Sequence, residues 1–263
     1  MILFSITSGS PYKTSWLGRF IFLCIILAGI AAFVFYKYDE PVPSGKSGLA
    51  ADLLARKIMM SVYHDNWERT GAISWNFDNQ RFHIWDRNRN YAKVSWDEYE
   101  VLINLSDKRG IAMESGKRMG FNDTKKKLEE AWAFWINDSF WLNPVSKMFD
   151  AGTSRRVVPV VGAEGLLVTY RSGGLSPGDS YLWLTDSDGL PKAWKMWTEK
   201  IPLGGVEATW DNWVTLSTGV RIATQHETSL FTIHLKDVEG ATSIEELIPG
   251  EDPFASLVST TGN

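Results

Sequence analysis

The segment 122–150, NDTKKKLEEAWAFWINDSFWLNPVSKMFD, decides how the rest of the chain is read. It opens polar, with Lys125, Lys126 and Lys127, and then turns aromatic. Leu128, Ala131, Trp132, Trp135, Ile136 and Ser139 recur at the spacing of one helical stripe. Phe140, Trp141, Leu142, Met148 and Phe149 follow closely. A helix this apolar, set inside sequence with a two-residue period, needs a large concave surface to lie against. The flanking segments predict one.

Upstream, Ile73, Trp75 and Phe77 alternate with Ser74, Asn76 and Asp78, the pattern of a half-buried strand. Further strands are predicted at 81–86, 91–96, 99–105 and 110–114. Downstream they resume at 166–171, 180–186, 192–198, 207–216, 220–227 and 230–236. Asp188-Gly189 marks a tight hairpin between two of them. Short links imply antiparallel neighbours, because parallel crossovers need a dozen residues or more. About eleven strands cannot stay flat and must curl, close or split. Before the strands, a helix starts near Ser47, with Leu49, Leu53, Leu54, Ile58 and Val62 as its apolar stripe and Asp52, Arg56 and Lys57 facing away. After Gly240 the tail reads as loop with one short helix at 243–247. The fold class is α+β: a curved antiparallel sheet forming a half-open barrel, an N-terminal helix, and the helical insertion on its concave face.

The N-terminal part differs in kind. Seventeen residues from Phe20 to Tyr36, FIFLCIILAGIAAFVFY, carry no charge. With Trp16 and Leu17 the run just reaches the ~30 Å hydrocarbon core of a bilayer. Trp16, Tyr36 and Tyr38 sit where an interfacial aromatic belt belongs. A cleaved signal peptide has an apolar region of about 7–15 residues, shorter than this one. The organisation expected is a tail over 1–15, a single transmembrane anchor over 16–38, a linker over 39–46 (DEPVPSGK) and one β-rich domain over 47–263. Lys13 and Arg19 before the run nearly balance Lys37 and Lys46 after it. A short tail with a large following domain places that domain outside the cytoplasm, which is the periplasm if the cell is Gram-negative.

Composition bounds the chemistry. The 263 residues carry a net charge of -4 with both signs interspersed, which gives no nucleic-acid footprint. The single cysteine, Cys24, rules out an intrachain disulfide framework. His64, His83, His226 and His234 are scattered, and none forms a helical zinc pair. His83 alternates with Phe82 and Ile84, which reads as a surface or hydrogen-bonded position. No Gly-x-Ser-x-Gly elbow and no phosphate loop is present. Asp186-x-Asp188-Gly189 imitates half a calcium loop, but Trp197 stands where the closing acid belongs, so it reads as a hairpin. No catalytic residue, metal or cofactor is called for. Lys125, Lys126 and Lys127 would suit anionic headgroups, at about 1 kcal/mol each near a charged membrane surface.

The order of a helix, a run of antiparallel strands, a helical insertion and more strands resembles the LolA/LolB superfamily of lipoprotein carriers, receptors and lipid-binding relatives. The likeness is carried by residues 63–96, by the hairpin 181–197 with Asp186-Ser187-Asp188-Gly189-Leu190-Pro191, and by 140–150, FWLNPVSKMFD. It implies a membrane-anchored, non-enzymatic envelope protein whose half-barrel holds a lipid or lipoprotein acyl chain. A spanning anchor departs from that superfamily, whose carriers are soluble and whose receptors are lipid-anchored. Trp75, Phe77, Ile84, Trp96, Trp132, Trp135, Phe140 and Trp141 are the expected hydrophobic lining. The same aromatic stripes also suit a solid core, and with it an envelope scaffold that binds a protein partner. A hydrolase assembled from His226, Asp211 and Ser229 ranks last.

Overall fold

The computed structural model describes residues 16–250 and 252–258, so the tail over 1–15, with Lys13, lies outside the described residues. The chain divides into two compact units, 1–41 and 42–263. In the first, α1 (Trp16–Tyr38) is a 23-residue helix, apolar apart from Arg19 in its first turn and Lys37 in its last. At 1.5 Å per residue it is about 34 Å long, enough to cross a bilayer. Among the described residues no other helix is long and apolar enough to do so.

The second unit opens with α2 (Leu49–Ser61) and α3 (Asp65–Arg69). Five strands follow: β1 (Ala72–Phe77), β2 (Arg81–Asp86), β3 (Tyr91–Trp96), β4 (Tyr99–Asn104) and β5 (Gly110–Glu114). After the two-residue β6 (Lys117–Arg118) comes the long α4 (Phe121–Leu142) and a 3-10 turn, Pro144–Lys147. Then come β7 (Thr153–Val160), β8 (Ala163–Tyr170), β9 (Ser180–Thr185), β10 (Pro191–Trp197) and β11 (Val206–Thr209). The last strands are β12 (Asp211–Thr215), β13 (Arg221–Glu227) and β14 (Thr232–Ala241), and the tail carries α5 (Ile244–Leu247) and α6 (Ala255–Val258).

Among the described residues, fourteen strands form two antiparallel sheets that do not close. The larger has nine, in the order β12-β13-β14-β1-β2-β3-β4-β5-β6, and the smaller five, in the order β11-β10-β9-β8-β7. The count exceeds the expected eleven for three local reasons. The stretch 207–216 is two strands, because the chain pairs with β10 before Trp210 and with β13 after it. The short β6 has too few residues to show a period. The sequence of β7, TSRRVVPV, hides its alternation behind two arginines and Pro159. Proline is tolerated there because β7 is an edge strand. Val157 points its N–H outward to the Lys46 carbonyl at 2.9 Å, and Pro159, two residues on, faces the same way and leaves no ladder bond unmade.

The nine-stranded sheet buries both faces. On one, Ile73, Trp75 and Phe77 of β1 join Val94, Val101, Ile103 and Leu235 against Ala131, Trp135 and Leu142 of α4. On the other, Ala72, Ile84, Leu102 and Ile111 are covered by Ile244, Phe254 and Leu257 of the tail. Arg89 holds that tail down by paired bonds to Asp252 at 2.7 and 2.8 Å. Ser243 caps α5 by accepting from the Glu246 N–H at 3.3 Å.

The five-stranded sheet packs on α2. Its buried stripe is Ala51, Ala55, Ile58 and Val62, facing Val157, Leu166, Val168 and Trp183. This corrects the stripe read from sequence: Leu49 and Leu53 are exposed at 74% and 56%. Two alanines let the helix approach the sheet more closely than leucines would, and the larger side chains are turned to solvent. The residue before the helix is Gly48 at φ 118°, so Ser47 does not serve as its cap. The hairpin at Asp186 forms as expected. Asp186 Oδ1 accepts from the N–H of Asp188 and of Leu190 at 3.0 and 2.9 Å, and Gly189 takes φ 92°.

Candidate functional site: an aromatic cleft beside the long helix

Sequence places α4 where it can serve both cores. Its middle, at Ala131 and Trp135, belongs to the core of the nine-stranded sheet, and its last turn, at Phe140 and Trp141, packs on the core of the five-stranded sheet. Asn143 ends the helix and accepts from the Ser146 N–H at 3.3 Å, and Pro144 supplies the fixed φ that starts the following turn. Beside the C-terminal half of α4 lies a cleft of about 860 Å³. That is within the ~300–1,000 Å³ range of ligand pockets.

Trp132, Trp135, Phe140 and Trp141 of α4 line it, with Phe77 of β1. The rings of Trp132 and Trp135 lie 5.4 Å apart. Phe140 meets Tyr181 at 5.0 Å and Tyr170 at 5.4 Å. Trp141 meets Trp194 at 5.0 Å. These five lining residues were expected from sequence. Three others lie elsewhere. Trp75 is fully buried and stacks on His83 at 4.5 Å. Ile84 points to the opposite face, under the tail. Trp96 packs against Phe134 at 5.3 Å, away from the cleft. Alternation places Trp75 and Trp96 on the inner face without saying which part of it stays open, and for Ile84 it does not say which face is the inner one.

The cleft also takes residues that sequence did not single out. Leu105, Phe231 and Ile233 come from the nine-stranded sheet and its turns, and Tyr170, Tyr181 and Met196 from the five-stranded one. Only Tyr170 and Tyr181 had a local signal, since they flank the glycine- and serine-rich loop 171–179. Asp179 closes that loop. It accepts from Ser176 Oγ at 3.0 Å and from the Glu199 N–H at 3.1 Å. Burial raises its carboxyl above the usual range. Lys147 and Asp150 lie 3.7 Å apart at the same end. Burial pushes the Tyr170 phenol up, and its hydroxyl has no hydrogen-bond partner. The same is true of the Trp135 indole N–H.

Behind the cleft wall a buried ionic group fixes α4. Asp138 accepts from Arg81 Nε at 2.7 Å and from His83 at 2.8 Å, while Asn137, which lines the cleft, donates to its other oxygen at 3.0 Å. Burial lowers the His83 pKa, so the ring is neutral and donates from Nε2. Burial alone would raise Asp138, but the bonds from His83 and Arg81 hold it below the usual carboxylate range. His83 is therefore a wholly buried residue, and the exposed neighbour on its strand is Phe82.

The other expected groups are dispersed. His226 bonds through Nδ1 to the Thr209 carbonyl at 3.1 Å, with no hydrogen bond to Asp211 or Ser229, and its Nε2 has no partner. Its ring lies against Trp210 at 4.3 Å and Trp141 at 5.2 Å. Among the described residues no three His, Cys, Asp or Glu side chains gather as a metal site requires. Lys127 turns onto its own domain: its Nζ lies 3.5 Å from the Tyr99 ring centre and 2.8 Å from Glu130. Lys125 and Lys126 are exposed, and none of the three lines the cleft. No protein-family model matches this chain, and no curated protein matches it in sequence.

Proposed function

We propose that this chain is a membrane-anchored, non-enzymatic envelope protein that shelters a lipid or lipoprotein acyl chain in the cleft beside α4, similar in manner to the LolA/LolB superfamily. In this reading the two sheets act together as an open wall, and α4 occupies its inner side. α1 is the single-pass anchor, and the following domain lies outside the cytoplasm. The observation that carries the reading is the cleft itself: about 860 Å³ beside an aromatic helix, with Trp132, Trp135, Phe140 and Trp141 on one side. A methylene gains about 0.8 kcal/mol on burial, so a long chain draws strong affinity from such walls without specific bonds. The test is native mass spectrometry of the full chain, isolated under conditions that retain lipid. Co-purifying lipid that is lost in a folded Trp132→Asp variant supports the reading, and a clean apo mass with no uptake of added acyl lipid removes it.

A second reading, an envelope scaffold for a protein partner, draws on α2. Leu49, Leu53 and Met60 expose 74%, 56% and 74% of their surface there. It takes the lead if the cleft takes up no lipid.

A further inference from the structure

The cleft is not uniform along its length, and its asymmetry bears on what would fill it. All four of its charged side chains, Lys147, Asp150, Asp179 and Lys200, come from the turn after α4 or from the loops of the five-stranded sheet. The wall built by the nine-stranded sheet and its turns offers Phe77, Leu105, Phe231 and Ile233, with Asn90 as its polar residue. The part of the cleft walled by the nine-stranded sheet is thus uncharged, and its charged end is the part walled by the turn after α4 and the loops of the five-stranded sheet. At the charged end both carboxylates already have partners. Asp150 faces Lys147 at 3.7 Å, and Asp179 is bonded to Ser176 Oγ and the Glu199 N–H. Lys200 is exposed and has no ion pair among the described residues. The Tyr170 hydroxyl, a buried donor without an acceptor, belongs to the same end.

We infer that the ligand is an anionic amphiphile held in one direction, with its chain along Trp132 and Trp135 and its carboxylate or phosphate at Lys200. This rests on the reading of the cleft as a lipid site and adds polarity to it. Apolar burial supplies the affinity, and a charge-assisted bond at one end fixes which way the molecule enters and which headgroups are accepted. Lys200 is a specificity residue in this arrangement, with Tyr170 as a second donor once the head is seated.

The test uses the full chain in a non-ionic amphipol and three probes of equal chain length: palmitate, hexadecyl phosphate and hexadecanol. The anionic probe that fits should bind about tenfold tighter than the alcohol, the margin of one charge-assisted bond. Lys200→Gln, a change at an exposed side chain, should remove most of that margin and leave hexadecanol binding unchanged. Whichever of palmitate and hexadecyl phosphate loses more identifies the head. Equal binding of all three probes, or a margin untouched by Lys200→Gln, overturns the inference while the cleft remains a lipid site. Failure of every probe to bind overturns the site as well.

Discussion

His83 on β2 and Asp138 on α4 are joined by a 2.8 Å hydrogen bond between two side chains with no solvent exposure. Arg81 completes the group from the same strand. The helix that forms one side of the cleft is therefore fastened to the nine-stranded sheet by a polar clamp as well as by packing. Removing one member of such a group strands the others in a low-dielectric interior, at a cost of about 3–5 kcal/mol. Asp138→Ala should lower unfolding stability by that amount. Asp138→Asn, which retains an acceptor, should cost less. Urea denaturation of the two variants measures the difference, and a loss for Asp138→Ala below about 1 kcal/mol would show the clamp to be dispensable.

Acid should loosen the domain through His226. Burial between Trp210 and Trp141 lowers its pKa to about 4, against an ordinary 6.5. The unfolded chain then binds a proton between those values where the folded one does not, so stability is complete above pH 6.5 and falls as the pH drops toward 4. The limit for this one group is about 3 kcal/mol. Burial lowers His83 and His64 in the same direction. A Tm series over this window should show the decline, with a shallower slope in His226→Asn. Parallel slopes for the two proteins would contradict the assignment.

Ile84 and Phe254 define the covered outer face of the large sheet. Phe254 is fully buried, and its truncation to alanine should cost about 3–5 kcal/mol. Ile84→Ala should also destabilise. Neither should alter uptake of an acyl probe by the protein that remains folded, whereas Trp132→Asp should abolish it. Uptake lost in Ile84→Ala at full folding would place that residue at the site after all.

The two faces of α2 give the reverse of the usual expectation for leucine and alanine. Leu49→Gln and Leu53→Gln should change stability by less than about 0.5 kcal/mol, because both side chains already lie in solvent. Ala55→Leu, at a position with no exposure, should cost about 1–3 kcal/mol by overpacking. Thermal unfolding of the three variants ranks them directly.

These contrasts show where the sequence was readable. Period two in Ile73-Trp75-Phe77 and period 3.6 in 128–139 identify strand and helix because each is imposed by burial on one side. The hairpin at Asp188-Gly189 was legible because its turn needs a positive φ. The choice between Leu53 and Ala55 on α2 was not, since it depends on how closely a sheet approaches, which no local pattern records. For the same reason Ile84 could not be told from Trp85: both are apolar, and the tail that covers one side lies some 170 residues later in the chain, at Phe254. Of the cleft's lining, Phe77, Trp132 and Trp135 stand out by periodicity, and Phe140 and Trp141 by the apolar run that follows the helical stripe. The charged end of the cleft was not, because Lys147, Asp179 and Lys200 meet only through tertiary folding.

Quenching of tryptophan fluorescence by a brominated fatty acid addresses the central claim most directly. The full chain would be used in a Trp16→Phe background, which removes the indole at the start of α1. Occupied cleft sites put the bromine beside Trp132, Trp135 and Trp141, so quenching should saturate with added ligand, be reversed by unbrominated palmitate, and disappear in a folded Trp132→Asp variant. Quenching that rises without saturation and is the same in Trp132→Asp would mean partition into the amphiphile around α1, and would contradict an acyl-chain site in the cleft.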